Sequence, residues 1–245
     1  TPLVGRYTSS KAQSIWSDDH KWGLARRLWH STAKHQRELG VTIITEAMLK
    51  EMSEHYDDID YARVAELEKK HRHDVVAHSR HYGEVCPLAA AIIHLGLASM
   101  CITDNAELIM IRDSLIHLRG CVVRLLAGFD KKIVQYADLP IQGMSHLQPA
   151  QPVTLGKRFT MYAQDLTMDL EAIDNLIEWL PFRGLKGPVG TKNPTLKLFN
   201  GDRAKAAQLE ILVANDFGFT KILPVTGQTY TRKIDSRYVF VLSDL

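Results

Sequence analysis

The sequence predicts an all-α fold, and three observations predict it. Apolar residues recur at three- and four-residue steps through most of the chain, the stretch from Asn105 to about Ala137 holds no proline, and strand-like runs are short and few. From Asp18 to Leu39 the face is marked by Trp22, Ala25, Leu28, Trp29 and Ala33, with Gly40 as its stop. Thr45 precedes a short helix reaching Met52, and Asp60 opens another that carries Val64, Ala65 and Leu67. Asp74 is expected to cap a third, which runs toward Val85. Cys86-Pro87 ends it, because the residue before proline is pushed out of the helical region.

The long stretch after Asp104 carries the most information. Leu108, Ile109, Ile111, Leu115, Ile116, Leu118, Val122, Val123, Leu125 and Leu126 cover more than one narrow stripe. They predict a helix roughly 50 Å long, buried in a large bundle. A second long helix is expected from Thr154 to Trp179, ended by Pro181, with shorter ones over Asp202–Phe217 and from about Arg232 onward. Val41–Ile44 and Phe219–Thr226 are too short to build a sheet from. Small residues near 95–103 suggest a boundary: a small N-terminal helical domain over 1–97 and a central long-helix bundle over 98–245. Ser236–Leu245 carries Val239, Phe240, Val241 and Leu242 with no glycine or proline to close it, so the bundle is expected to be incomplete at its C-terminus.

Composition narrows the class of partner. Thirty basic against 28 acidic residues leave a formal net charge of +2, without the one-sided surplus expected for nucleic-acid binding. Cys86, Cys101 and Cys121 lack metal-type spacing and read as buried free thiols in a reducing compartment. The segment Thr1–Arg6 lacks the basic and apolar blocks of a secretion signal. Pro87 to Ile102, the longest uncharged stretch, is too short and polar to span a membrane. A soluble cytoplasmic protein is the expectation.

Four segments hold residue types able to do chemistry. His71-Arg72-His73-Asp74-Val75-Val76-Ala77-His78 supports three readings. It could be a metal site, though its spacing fits no zinc pattern, a solvated helix start, or an anion pocket in which Arg72 forks onto a carboxylate or phosphate while Asp74 orients a histidine. Gly143–Pro152 is a polar loop that places His146 where a rigid helix pair meets a loop. By pattern it is either a cleft residue or a surface one. Phe182–Thr191 is a glycine-spaced loop with Arg183 and Lys186, suited to holding anionic oxygens or to a flexible crossover. Gly227–Asp235 is a polar turn feeding a helix, and nothing in it resembles a nucleophile elbow.

In order and spacing, a set of short segments resembles the adenylosuccinate lyases of the fumarase/aspartase superfamily. The set runs Arg6-Tyr7, Arg72-His73-Asp74-Val75 with Ala77-His78, Ile92–Gly96 with Ser99 and Asp104-Asn105, Ser145-His146 with Gln148–Gln151, and Gly156–Arg158. It continues through Phe182-Arg183-Gly184 with Lys186-Gly187 and Gly190-Thr191, and ends at Thr226–Tyr230 with Arg232-Lys233. The resemblance implies helical domains of the fumarase/aspartase type and a homotetramer with shared active sites. It also implies a β-elimination that releases fumarate from adenylosuccinate, giving AMP, and from the succinocarboxamide ribotide. No metal or organic cofactor is implied. By position His146 looks like the catalytic acid/base histidine, Arg6 and Tyr7 like substrate contacts, Arg72, His73 and Asp74 like the segment holding the nucleotide, and Ser99 like a hydroxyl contact to a succinyl carboxylate.

Three departures from the family pattern stand out. Ala98-Ser99 replaces Thr-Ser, and Lys192 replaces a glutamine that both donates and accepts. The serine-bearing loop that supplies the family's other acid/base residue would lie beyond Leu245, so the 245-residue chain is expected not to be competent by itself. The competing expectations are a non-catalytic helical oligomerisation scaffold or degenerate paralogue, and a superfamily lyase acting on another substrate such as argininosuccinate. Arg6-Tyr7 with Thr226–Tyr230 argues against the latter.

Overall fold

Side-chain caps fix where most of the helices start. The computed structural model describes residues 2–245. After α1 (Pro2–Tyr7) come α2 (Ser10–Ile15), α3 (Asp18–Glu38), α4 (Glu46–Glu54) and α5 (Tyr61–His71). Ser9, Ser17, Thr45 and Asp60 precede α2 to α5, and each accepts an N–H of the first turn, a contact worth about 1 kcal/mol. The next helix, α6 (Asp74–Val85), corrects one expectation. Its cap residue is His73, and Asp74 is already helical, with its Oδ1 accepting the Val75 N–H at 2.7 Å.

The second half is dominated by α7 (Ser99–Gln135) and α8 (Leu155–Trp179), followed by α9 (Asn193–Leu198), α10 (Arg203–Asp216) and α11 (Lys233–Asp244). The fold is mainly α, as expected. One hairpin, β1 (Pro140–Ser145) with β2 (Gln148–Thr154), replaces the loop predicted between the long helices. Pro149 and Pro152 hid it, since proline reads as a strand breaker yet is tolerated in a strand with a free edge.

The chain divides into two compact units. One holds Thr1–Arg112 with Leu180–Arg232, and the other Asp113–Trp179 with Lys233–Leu245. The boundary expected at 97/98 coincides with the start of α7 and stays a proposal. In the first unit α3 is buried on almost every side, with Trp22, Leu24, Ala25, Leu28, Trp29 and Ala33 in the core, and it packs on α2, α4 and α10. Arg26 is carried inside with them, where it donates to the His55 carbonyl at 2.5 Å, meets His81 Nδ1 at 2.9 Å and lies over the Tyr82 ring. Val64, Leu67 and Ala77 pair α5 with α6.

In the second unit Gly156 opens α8 against the end of α7. A Cβ there would meet Ile133 O at 2.6 Å and the Ala137 backbone at 2.9 Å, so only glycine permits this approach. Phe129, Tyr136, Phe159 and Tyr162 pack nearby, Arg119 forks onto Asp174, and the Arg237 guanidinium covers the Trp179 ring. The burial expected all along α7 holds to about Leu115. Beyond it Val123, Leu125 and Val134 are exposed, as are Met161 and Met168 of α8. Among the described residues no helix is long and apolar enough to cross a membrane.

Two histidines, His78 buried and His94 half-buried, couple this fold to pH. His78 stacks on Trp22 at 3.4 Å, and burial, then the charge of Arg26, pushes its pKa down to about 3. Burial, then His73, lowers His94 to about 4. An unfolded histidine titrates near 6.5, so between these values the unfolded chain binds more protons. The stability conferred is complete above about pH 6.5 and is lost as pH falls. Melting temperature should therefore decline from neutral pH toward about pH 4, and His78→Phe should flatten the decline. A pH-independent melting temperature across that window would overturn the assignment.

Candidate active site

The turn between α5 and α6 places the first group of site residues. α5 ends on Arg72 in the left-handed region (φ 53°), a conformation that costs a non-glycine residue about 1 kcal/mol. That reversal lets His73 begin α6 at once and leaves Arg72, His73 and Asp74 exposed in a row. Ser99, the first residue of α7, reaches the same place. Its Oγ lies 3.1 Å from His73 Nε2, while His73 Nδ1 lies 3.1 Å from Asp74 Oδ1. The structure thus joins His73, Asp74 and Ser99, which the resemblance assigned to one ligand. His78, on the same segment, turns inward onto Trp22 and takes no part. Behind His73, His94 Nδ1 accepts the Trp29 Nε1–H at 2.9 Å. Among the described residues no cluster of three or more His, Cys, Asp or Glu side chains could hold a metal ion.

Arg6 and Tyr7 end α1, with the Arg6 guanidinium 5.8 Å from the Tyr7 ring centroid and Tyr7 largely exposed. No hydrogen bond or ion pair among the described residues links either to the His73 group. His146 lies in the second unit, at the tip of the hairpin. His146 (φ 50°) and Leu147 (φ 62°) are both left-handed, the signature of a two-residue type I′ turn that asparagine and glycine normally occupy. The tip holds its imidazole in the open, with Leu147 91% exposed beside it. Strain of this kind in a bulky pair persists where a position serves something other than stability.

The glycine-spaced loop differs from the expected anion cradle. Arg183 and Lys186 are buried, and the Arg183 Nη and Lys186 Nζ donors are spent inside the protein. Arg183 Nε sits 3.2 Å from Asp104 Oδ2, and its Nη atoms donate to the carbonyls of Gly184, Lys186 and Gln228 and to Cys101 Sγ. Lys186 Nζ donates to Glu210 Oε1 at 3.0 Å and to the carbonyls of Arg183 and Leu223. Gly184 (φ 88°) lies so near Glu210 Oε1 that a Cβ would sit 2.1 Å from it. The crossover is braced and its charge is already used.

Sequence reading missed Glu210, the acid inside the apolar Leu209–Ala214 run of α10. That isolation was the available signal, since a buried acid is expected to have a cation. Glu210 has two. Its Oε2 also accepts from Lys192 Nζ at 2.6 Å, so the lysine in the family's glutamine position is neutralised internally. Burial pushes the Glu210 carboxyl up, but the Lys192 hydrogen bond and the Lys186 charge outweigh it and hold its pKa below the ordinary carboxylate range.

With the fold and these groups described, their relation to known proteins can be stated. A protein-family profile described as Lyase matches residues 2–233, and the chain belongs to this family, the fumarase/aspartase superfamily. Curated relatives named adenylosuccinate lyase agree with the motif resemblance. The Saccharomyces cerevisiae protein is 41% identical over 96% of this chain and 49% of its own length. The Schistosoma mansoni protein is 40% identical over 100% of this chain and 51% of its own. The chain thus spans about half the length of the curated relatives it matches. Among solved structures, a 3-carboxy-cis,cis-muconate lactonizing enzyme from Pseudomonas putida matches with TM-score 0.83 at 18% identity, covering 99% of this chain and 54% of that one. A fumarate lyase from Mesorhizobium matches with TM-score 0.81 at 17% identity, covering 96% and 54%. At these identities both speak for the fold alone.

The Glu210 bridge yields a test of how the loop is held. Glu210→Gln leaves the Lys186 charge buried beside a neutral amide and should cost about 3–5 kcal/mol in denaturant unfolding. Lys192→Gln keeps Lys186 on Glu210 and should cost about 1 kcal/mol or less. Equal losses for the two variants would refute the bridge as the anchor.

Proposed function

We propose that the protein acts as an adenylosuccinate lyase, eliminating fumarate from adenylosuccinate to give AMP and from the succinocarboxamide ribotide of purine synthesis. The observation that carries this reading is the Ser99–His73 contact. It joins segments 26 residues apart that the resemblance assigns to one carboxylate-bearing nucleotide. The relatives near 40% identity support the same substrate class.

The elimination asks for a base at the carbon next to a carboxylate and an acid at the departing nitrogen. His146 is assigned one of these proton transfers. Its exposure and turn geometry suit a group that meets its substrate in an assembled site. Arg72 offers a guanidinium to phosphate or carboxylate. His73 and Asp74 orient the ligand, Ser99 hydrogen-bonds a succinyl carboxylate, and Arg6 and Tyr7 close on the nucleotide from the N-terminal side.

The same reading makes the protein a cytoplasmic homotetramer with shared active sites. The exposed apolar residues of α7, α8 and α11, among them Val134, Met168 and Phe240, support self-association.

The test is fumarate release from adenylosuccinate by the intact protein. His146→Ala should lower turnover by about 10²–10⁴-fold with folding unchanged. Near-normal turnover in the variant would remove His146 from the chemistry. An intact protein that binds nucleotide without releasing fumarate would favour the scaffold or degenerate paralogue.

A further inference from the structure

A glutamine side chain carries two N–H donors on one nitrogen, and Gln13 commits both to the segment around Arg6 and Tyr7. Its Nε2 donates to the Val4 carbonyl at 2.7 Å and to the Thr8 carbonyl at 3.1 Å. Carbonyl oxygens only accept, so the amide must turn its NH₂ toward them. The two carbonyls bracket Arg6 and Tyr7, the residues that close α1. A helix leaves its last four carbonyls without an N–H of its own, and in α1 that set begins at Val4. A six-residue helix does not hold in water unaided. What caps and tethers α1 therefore decides where its side chains stand.

Gln13 is itself well anchored. It lies in α2, which Ser9 caps, which packs on α3, and whose Ile15 is 3% exposed. The Gln13 backbone N–H donates to the Ser9 carbonyl at 2.9 Å. Ile15 follows two residues later, about 200° around the helix. The side chain that grips α1 thus leaves α2 on the face opposite the one held in the core. We infer that Gln13 is a positioning residue, whose amide clasps the end of α1 and presets Arg6 and Tyr7 for a ligand. The inference rests on the lyase reading for the identity of that ligand, a nucleotide whose anionic groups suit the Arg6 guanidinium. Gln13 touches no reacting atom. Without its two donors the arm samples positions from which Arg6 and Tyr7 miss the ligand, and ordering it again weakens binding. Contacts made alike to bound substrate and transition state act on KM and leave kcat.

Gln13→Met tests this in the intact protein, since methionine keeps the length and the helix propensity of glutamine and removes both donors without adding charge. Hydrogen–deuterium exchange of the free protein over residues 4–8 should be about fivefold faster or more in the variant. Unchanged exchange there would overturn the clasp. In fumarate release from adenylosuccinate, Gln13→Met should raise KM about tenfold and leave kcat within about twofold. An unchanged KM, or a loss confined to kcat, would overturn the positioning role and leave the lyase reading intact. The same substitution in an Arg6→Ala, Tyr7→Ala background should raise KM no further, because Gln13 acts through those two side chains. A further tenfold rise in that background would show that it acts elsewhere and sink the inference. A wild type that releases no fumarate counts against the lyase reading, while the exchange comparison still decides the clasp.

Discussion

Asp104 and Arg183 are both fully buried, and much of the first unit is arranged around keeping them so. Removing two such ions from water costs several kcal/mol each, and only extensive hydrogen bonding offsets this. The chain supplies it from distant places. Arg183 draws on the carbonyls of Gly184, Lys186 and Gln228, while Asp104 accepts the Tyr230 N–H at 2.8 Å and has Arg232 near its other oxygen. Burial pushes the Asp104 carboxyl upward in pKa, against the Tyr230 N–H and the charges of Arg183 and Arg232. Asn105 completes the knot by accepting the Arg183 N–H at 2.8 Å and donating to the Gly184 carbonyl. Asp104 lies little more than one turn after Ser99, so the pair that secures the glycine-spaced loop also fixes the start of α7 and the hydroxyl that meets His73.

This dependence explains how charge is divided in the first unit. Cations near the glycine-spaced loop are satisfied internally: Arg183 by Asp104 and carbonyls, Lys186 and Lys192 by Glu210. Arg72 is different. It stands exposed, itself left-handed, just past the end of a helix, with no carboxylate partner among the described residues. A buried and paired cation rigidifies a scaffold, whereas an exposed arginine beside a histidine and a serine keeps its fork for something arriving from solvent. By residue pattern both segments were candidate anion holders, and the motif resemblance assigned only Arg72 to substrate. Burial separates them.

The helices were legible because their signals are local. Thr45, Asp60 and Asp202 cap where capping chemistry says they should, and α3, α7 and α8 announce themselves by periodicity. The hairpin was not legible, since Pro149 and Pro152 argue against strands and His146-Leu147 is an improbable pair for a tight turn. Asp74 was misassigned by a single position because it resembles a cap and sits at a helix start. Glu210 escaped notice for a different reason. Its partners Lys186 and Lys192 lie far off in sequence, and only the folded loop brings them onto one carboxylate.

The site residues illustrate the same limit. The motif resemblance grouped His73, Asp74 and Ser99 by position, but nothing in the order of residues says which way a hydroxyl points. The fold brings the Ser99 hydroxyl to 3.1 Å from His73 Nε2, and the tautomer of the ring decides which of the two donates. The missing threonine at Ala98 sharpens the point. On the lyase reading, one hydroxyl fewer than the family pattern leaves more of the carboxylate contact at this helix start to Ser99.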